Sequence, residues 1–256
     1  MTNFSKLKSE EVLNEDSIVE YQRLIGLFWN QLVKLNTNIF IIKKIHEFPF
    51  DIFCTTPEKT TFFSIVIENL IENSVLTITK LATDQGSDPS TLPRFKNWVL
   101  SKINTKYSLE FRNWLKKTRF DIEIKRLLEK AKRIRSSIIA HLNKGLLFRM
   151  EDIEQITISE LERLKDKLII VIDALSFNVG FKMLPLCYAE DIVRPKGTEY
   201  QSDIDEILDS IAQKSETLNM PEKYPEAWKN YRKKSYSEEA IKILNKYRRK
   251  FKLPEV

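Results

Sequence analysis

The chain has 256 residues, 42% hydrophobic and 30% charged, enough for a sizeable core and for one domain with an appendage or two small domains. Only 5 glycines occur, with no G-x-G-x-x-G and no G-x-x-x-x-G-K-[ST], so the glycine-rich dinucleotide folds and P-loop enzymes lack their fingerprint here. The net charge of +6 permits an anionic partner, of which nucleic acid is the usual one. Cys54 and Cys187 form no C-x-x-C and no disulfide framework, which fits a reducing cytoplasm. The start, "MTNFSKLKSEEVLNED", is polar, and the longest apolar run, "LIIVIDALSF", is broken by Asp173. A cytoplasmic protein without a membrane anchor is expected.

The periodicity is helical almost throughout. Residues 10–46 give a long amphipathic pattern (Val12, Ile18, Tyr21, Ile25, Phe28, Leu32, Leu35) with a candidate break at "NTN", 36–38. "FPFDIFCTTPEK" reads as a connector. Thr56 before Pro57 then caps a helix that runs to Ala82. "TDQGSDPSTLP" is a loop, "RFKNWVLSKI" a short helix, and 118–143 a long one ended by "NKG", with Gly145 placed for a left-handed C-cap. "TISE" (157–160) reads as a capping box opening a helix to Met183, closed by Pro185 and Pro195. Two further helices are expected at 201–215 and 236–251, with "NMPEKYPEAWKNY" between them. Strand patterns are nearly absent, so the expected fold class is all-α.

The long helix contains "RIRSSIIAHLNK" at 133–144. On a wheel at about 100° per residue with Ile134 at zero, Leu127, Leu128, Ala131, Ile138, Ile139 and Leu142 cover roughly 0° to 140°. Arg135 falls inside that arc near 100°, and His141 at its edge near −20°. An arginine on an apolar stripe needs an anion, a carboxylate, carbonyls or a wet cleft, because stranding its charge costs several kcal/mol, roughly. A structural ion pair or a snorkelling side chain satisfies the same need. In "FFSIVIENLIENSVLTITKLATD" the face of Phe62, Val66 and Leu70 also carries Asn69 and Asn73. The two wheels together predict that these faces meet around a shared polar cleft.

These residues resemble the HEPN superfamily (higher eukaryotes and prokaryotes nucleotide-binding), and within it the AbiU-type, abortive-infection branch. The resemblance rests on Arg135-x5-His141 near the end of a long helix and on the segments "VLTITKLATD", "SSIIAHLNK" and "ITISELERLKDKLIIVIDAL". It covers residues 10–190; the tail "NKYRRKFKLPEV" adds weaker support. It implies a HEPN-like helical bundle over 1–190; the helical spacing of Ile204, Ile207, Leu208, Ile211, Ile241 and Leu244 predicts a helical C-terminal extension, 191–256, packing on that bundle. The resemblance further implies a homodimer in which the motif helices face each other, and a metal-independent endoribonuclease of the phage-defence or toxin kind with Arg135 and His141 as catalytic residues. Ser136, Asn69 and Asn73 would support the polar cleft. One departure is Ser136 itself, since active members often carry Asn, Asp or His directly after the arginine. The alternative is a non-catalytic HEPN module that binds RNA, a nucleotide or a protein partner in the same cleft.

Lys132, Arg133, Asn143 and Lys144 beside the motif are candidate nucleic-acid contacts. The basic runs "KAKRIR" and "NKYRRKFK" read equally well as solvated helix faces. His46 and His141 lie far apart and no H-E-x-x-H occurs, so no metal and no other cofactor is expected. The expected partners are RNA, a second copy of the chain, and an antitoxin or regulatory protein.

Overall fold

The computed structural model describes residues 3–54, 57–83, 89–142, 150–178 and 202–256, without the side chains at 57–59, 135–142, 150–157 and 231–235. The described residues form α1 (Ser9–Val12), α2 (Ile18–Glu47), α3 (Phe50–Phe53), α4 (Pro57–Ala82), α5 (Leu92–Lys102), α6 (Thr105–Lys117), α7 (Phe120–Leu142) and α8 (Met150–Leu175). They continue with α9 (Asp203–Lys214), α10 (Glu216–Lys223), α11 (Pro225–Ser235) and α12 (Glu238–Lys250). No strand occurs among them, only isolated bridges pairing Lys8 with Asn178 and Leu13 with Ile103. The fold is all-α.

Two compact units result. One comprises Met1–Phe40 with Asn69–Ala189, the other Ile41–Glu68 with Glu190–Val256. The first is organised by α7 and α8. Among the described side chains of α7 the buried ones are Phe120, Ile124, Leu127, Ala131 and Ile134; on α8 they include Leu161, Leu164, Leu168, Val171 and Leu175. These steps of three and four residues keep one apolar seam on each helix. The ion pairs between them run Glu123 to Lys167 and Arg133 to Glu160. As residue numbers rise on α7 they fall on α8, so the pair is antiparallel.

Tyr21 ties α2 to the end of α8. Its ring is fully buried, its hydroxyl donates to the Leu175 carbonyl at 3.0 Å, and it accepts from the Phe177 amide at 2.7 Å. Trp114 of α6 donates to the Ala174 carbonyl at 3.0 Å. Phe4, Phe111 and Phe177 pack edge-on or tilted around this end. The N-terminal segment is stitched in by backbone bonds from Asn178 to Leu7, Asn104 to Val12 and Asn14 to Lys102.

The second unit carries α9 to α12 together with α3 and the adjoining ends of α2 and α4. Ser202, Ser215 and Ser237 cap α9, α10 and α12 through their hydroxyls, each satisfying an otherwise orphan N–H. Arg248 is fully buried. Its guanidinium donates to the carbonyls of Pro254 at 2.5 Å and of Leu218, and to the Glu222 carboxylate. Tyr247 packs on Phe48 and Phe53, and Lys44 pairs with Asp205 at 3.1 Å.

The structure departs from the sequence expectations at five points. First, α2 runs unbroken through "NTN": the Thr37 hydroxyl donates to the Val33 carbonyl at 2.9 Å and the Asn38 amide to the Ser74 hydroxyl at 3.2 Å, so the polar groups are used without leaving the helix. Second, residues 105–117 form a helix of their own, α6, capped by Asn104. Third, α8 begins at Met150 rather than at "TISE", because nothing from Met150 to Thr157 breaks a helix. Fourth, the same helix ends at Leu175, short of the expected Met183. Fifth, "NMPEKYPEAWKNY" is largely helical. Pro225 occupies the first turn of α11, where its missing N–H costs nothing, and Pro221 lies inside α10. The expected Thr56 cap, Gly145, Met183, Pro185, Pro195 and Cys187 lie outside the described residues. Cys54 is buried.

Among the described residues one helical stretch, Thr60–Ala82, is long and apolar enough to cross a membrane by length and composition. A third of its most apolar window is buried. Its apolar side chains occupy more than one face, and the site below turns on that fact.

Candidate functional site

Arg135, Ser136 and His141 lie in the last two turns of α7, which ends at Leu142. Their side chains, and all of Asn143 and Lys144, lie outside the described residues. The helix still sets their register. The described buried positions of α7 cover about 0° to 80° from Ile134. Leu128 is only half-buried and Lys132 is exposed. Positions 135 and 141 each stand about 60° from the centre of that arc, on opposite flanks. They are also about 9 Å apart along the axis.

Upstream, the α7–α8 seam is flanked by charge pairs. Arg133 pairs with Glu160. Glu123 accepts from Arg126 at 2.8 Å and from Lys167 at 3.0 Å. Partial burial pushes the Glu123 carboxyl up, but the bonds and charges of Lys167 and Arg126 outweigh it and hold its pKa below the ordinary value. Of the four candidate nucleic-acid contacts, Arg133 is therefore engaged with α8, and Lys132 has a partner of its own.

On α4 the core face differs from the one expected. Phe63, Ile67, Ile71, Val75, Ile78 and Ala82 are buried, whereas Phe62 is exposed and Val66 and Leu70 are half-buried. Asn69 and Asn73 lie on the exposed side, along with Leu76. The reason is in the sequence. Apolar residues surround this helix, and the core takes the face uninterrupted by amides, because a buried amide requires partners. The polar group that the core does admit is Ser74. It donates to the Leu70 carbonyl at 2.6 Å and accepts from Asn38.

No group of three His, Cys, Asp or Glu side chains that could hold a metal ion occurs among the described residues. His46 is an exposed residue in the last turn of α2.

A family model, the HEPN family AbiU2, matches residues 19–189. The chain belongs to the AbiU2 family of HEPN-like proteins. No curated protein and no solved structure matches it. The AbiU2 match spans α2 to α8 and so contains Arg135 and His141, while α9 to α12 follow it. Within the AbiU2 region, sequence reasoning overlooked α6 and its basic side chains. They are dispersed among Tyr107, Phe111, Trp114 and Leu115 rather than gathered in a run. A charge count taken segment by segment finds them: residues 92–119 hold eight lysines and arginines against one acid, Glu110.

Proposed function

We propose that this AbiU2 protein is a metal-independent endoribonuclease of the phage-defence kind, acting in the cytoplasm as a homodimer through Arg135 and His141. The observation that carries the reading is the family match together with the register of the motif. Two side chains on opposite flanks of one stripe, about 9 Å apart along the axis, make a poor pair within one chain. Two copies of α7 meeting along this end would supply two arginines and two histidines to one cleft.

The chemistry suits these residue types. RNA carries its own nucleophile, so no activated water is required. His141 takes the proton from a 2′-hydroxyl as the 2′-oxygen attacks the adjacent phosphorus. The P–O5′ bond breaks, the 5′-oxygen takes a proton from the second histidine, and a 2′,3′-cyclic phosphate remains. Arg135 stabilises the charge gathered on the phosphoryl oxygens. Ser136 can add a hydrogen bond to a phosphate. Asn69 and Asn73 stand exposed on α4, outside the core. An antitoxin or regulatory protein would act by covering the same end of α7.

Incubation of RNA with purified protein in EDTA, beside His141→Ala, tests the reading. Cleavage by the wild type alone, leaving cyclic-phosphate ends, is the expected result. RNA binding without cleavage would replace it by the non-catalytic HEPN module, which the serine at position 136 favours.

A further inference from the structure

We infer that the solvent face of α6 and the corner after it form a docking row for the phosphate backbone of single-stranded RNA. The inference rests on the ribonuclease reading for its ligand and on separate residues for its evidence.

Charge is concentrated here. Residues 92–119 carry a net +7 where the whole chain carries +6, so the rest of the protein is close to neutral. Two of the cations on α5 are engaged: Lys96 pairs with Asp121 at 2.6 Å and Lys102 with Asp16 at 3.7 Å. On α7 most are engaged as well, Arg126 with Glu123 and Arg133 with Glu160. On α6 they are not. Arg112, Lys116, Lys117 and Arg119 are all exposed, and none forms an ion pair or side-chain hydrogen bond among the described residues. Uncompensated like charges repel one another across i and i+4, so a row kept this way has an anion as its natural counterpart.

The geometry favours a backbone. Phe111 and Leu115 turn the opposite face of α6 into the core, which fixes the basic face outward over about 16 Å of helix from Lys106 to Lys117. Arg119 extends the row past the helix end. It holds φ 55°, a left-handed conformation in which glycine or asparagine is the easier occupant. Its backbone closes one helix and opens the next, donating to Lys116 and accepting from Glu123.

Nucleic acid fits better than a membrane or a protein. A membrane-surface helix needs a broad apolar face towards the lipid, and here Leu109 is the large apolar residue on the exposed side. Protein interfaces are anchored by exposed aromatics, and the α6 aromatics Tyr107 and Trp114 are half-buried. Arg135 follows Arg119 by about 24 Å along α7. That corresponds to about seven nucleotides of stacked strand, so one RNA of modest length reaches both.

The test is anisotropy binding of a labelled 2′-O-methyl RNA of about 20 nucleotides, which lacks the nucleophile, across a salt series. The wild type is compared with Arg112→Ala/Lys116→Ala/Lys117→Ala/Arg119→Gly and with an equal-charge control, Lys34→Ala/Lys214→Ala/Lys223→Ala/Lys242→Ala. The α6 variant should bind at least about tenfold more weakly, with its log–log salt slope reduced by about 3, near 0.7 for each lost contact. The control should bind as the wild type does. The single charge reversal Lys116→Glu should give a partial loss, which keeps the test open should the quadruple variant fold poorly. Equal loss in both quadruple variants, no loss in the α6 variant, or a wild type that ignores the probe would overturn the row. So would unchanged RNA binding beside lost binding to phosphatidylserine vesicles. A wild type that binds the probe through this row yet cleaves no RNA ends the nuclease reading and leaves the row standing. A nuclease indifferent to the α6 substitutions does the reverse.

Discussion

Tyr21 and Leu175 stand 154 positions apart in the chain, and the Tyr21 hydroxyl donates to the Leu175 carbonyl at 3.0 Å. The same hydroxyl accepts from the Phe177 amide at 2.7 Å, so one buried oxygen satisfies two backbone groups where α8 runs out. Tyr21→Phe keeps the ring and removes both bonds. Leaving two buried backbone groups unpaired should cost about 1–3 kcal/mol. Thermal unfolding should show a melting temperature several degrees lower with unchanged helix content by circular dichroism. A wild-type melting temperature would mean that water replaces the hydroxyl.

Alkaline pH should reach the same bonds. Burial holds the Tyr21 proton well above the ordinary tyrosine value of 10.0. Burial, with the charges of Asp209 and Asp205, pushes Tyr247 up to about 12. A raised folded-state pKa contributes stability that is complete below the unfolded value and is lost as pH rises toward the folded one. Urea unfolding should therefore show a plateau up to pH of about 10 and a decline between about 10 and 12. Tyrosinate absorbance should lag that of the unfolded chain over the same window.

In the second unit, Arg248 is the group whose loss should be felt most. It is fully buried with carbonyl and carboxylate partners. Arg248→Ala should cost about 3–5 kcal/mol, because it empties a buried site and leaves the Pro254 and Leu218 carbonyls without their donor. Glu222→Gln should cost much less, since that carboxylate is 43% exposed and solvent screens it. The hydrogen bond from Arg248 holds the Glu222 carboxyl below its ordinary value. A depressed pKa contributes stability that is present above the unfolded value and lost as pH falls through the folded one. Limited proteolysis should thus cut within 203–256 sooner in Arg248→Ala, and sooner in the wild type once pH falls below about 4.5.

The helices that could be read from the sequence are those whose apolar residues fall on one face. α7 shows this, and so does α5 with Phe95 and Val99 buried. The reading failed where local chemistry and tertiary chemistry diverge. "NTN" looks like a break until Asn38 finds Ser74. "TISE" has the composition of a cap, yet the helix has already begun. The prolines of the tail mark a first turn and a helix interior rather than gaps. α4 was ambiguous for a different reason: with apolar residues on several faces, only packing decides which is core, and it leaves Asn69 and Asn73 outside. For Arg135 and His141 the register was legible, because position on a helix follows from counting. Their environment was not, since it depends on what meets that end of α7.

Arg119 allows a prediction in which stability and binding move in opposite directions. A non-glycine residue at φ 55° carries a penalty of about 1–2 kcal/mol, partly offset by the entropy that glycine loses on folding. Arg119→Gly should therefore melt at or slightly above the wild-type temperature. If the α6 row binds RNA, the same change should weaken that binding. A variant that is both less stable and unchanged in binding would show that Arg119 serves only the corner.

The motif itself is best tested against a neighbour on the same helix. Leu127 is fully buried at the centre of the α7 stripe, so Leu127→Ala removes packing and leaves a cavity, costing about 2–5 kcal/mol. Arg135 and His141 stand on the flanks of that stripe, about 60° from its centre. Were they structural partners in the core, truncating either would strand a buried group and cost as much as Leu127→Ala. Were they instead lining a wet cleft between two copies, Arg135→Ala and His141→Ala would melt near the wild type. Relief of repulsion between two facing guanidinium groups could even raise the arginine variant. The expected outcome is the second: melting temperatures near wild type, a retained dimer by light scattering, and loss of RNA cleavage and of any growth inhibition on expression. Leu127→Ala should show the opposite profile, a lowered melting temperature with activity surviving below it. Strongly lowered melting in Arg135→Ala and His141→Ala alike would make the motif a structural pair and remove it from the chemistry.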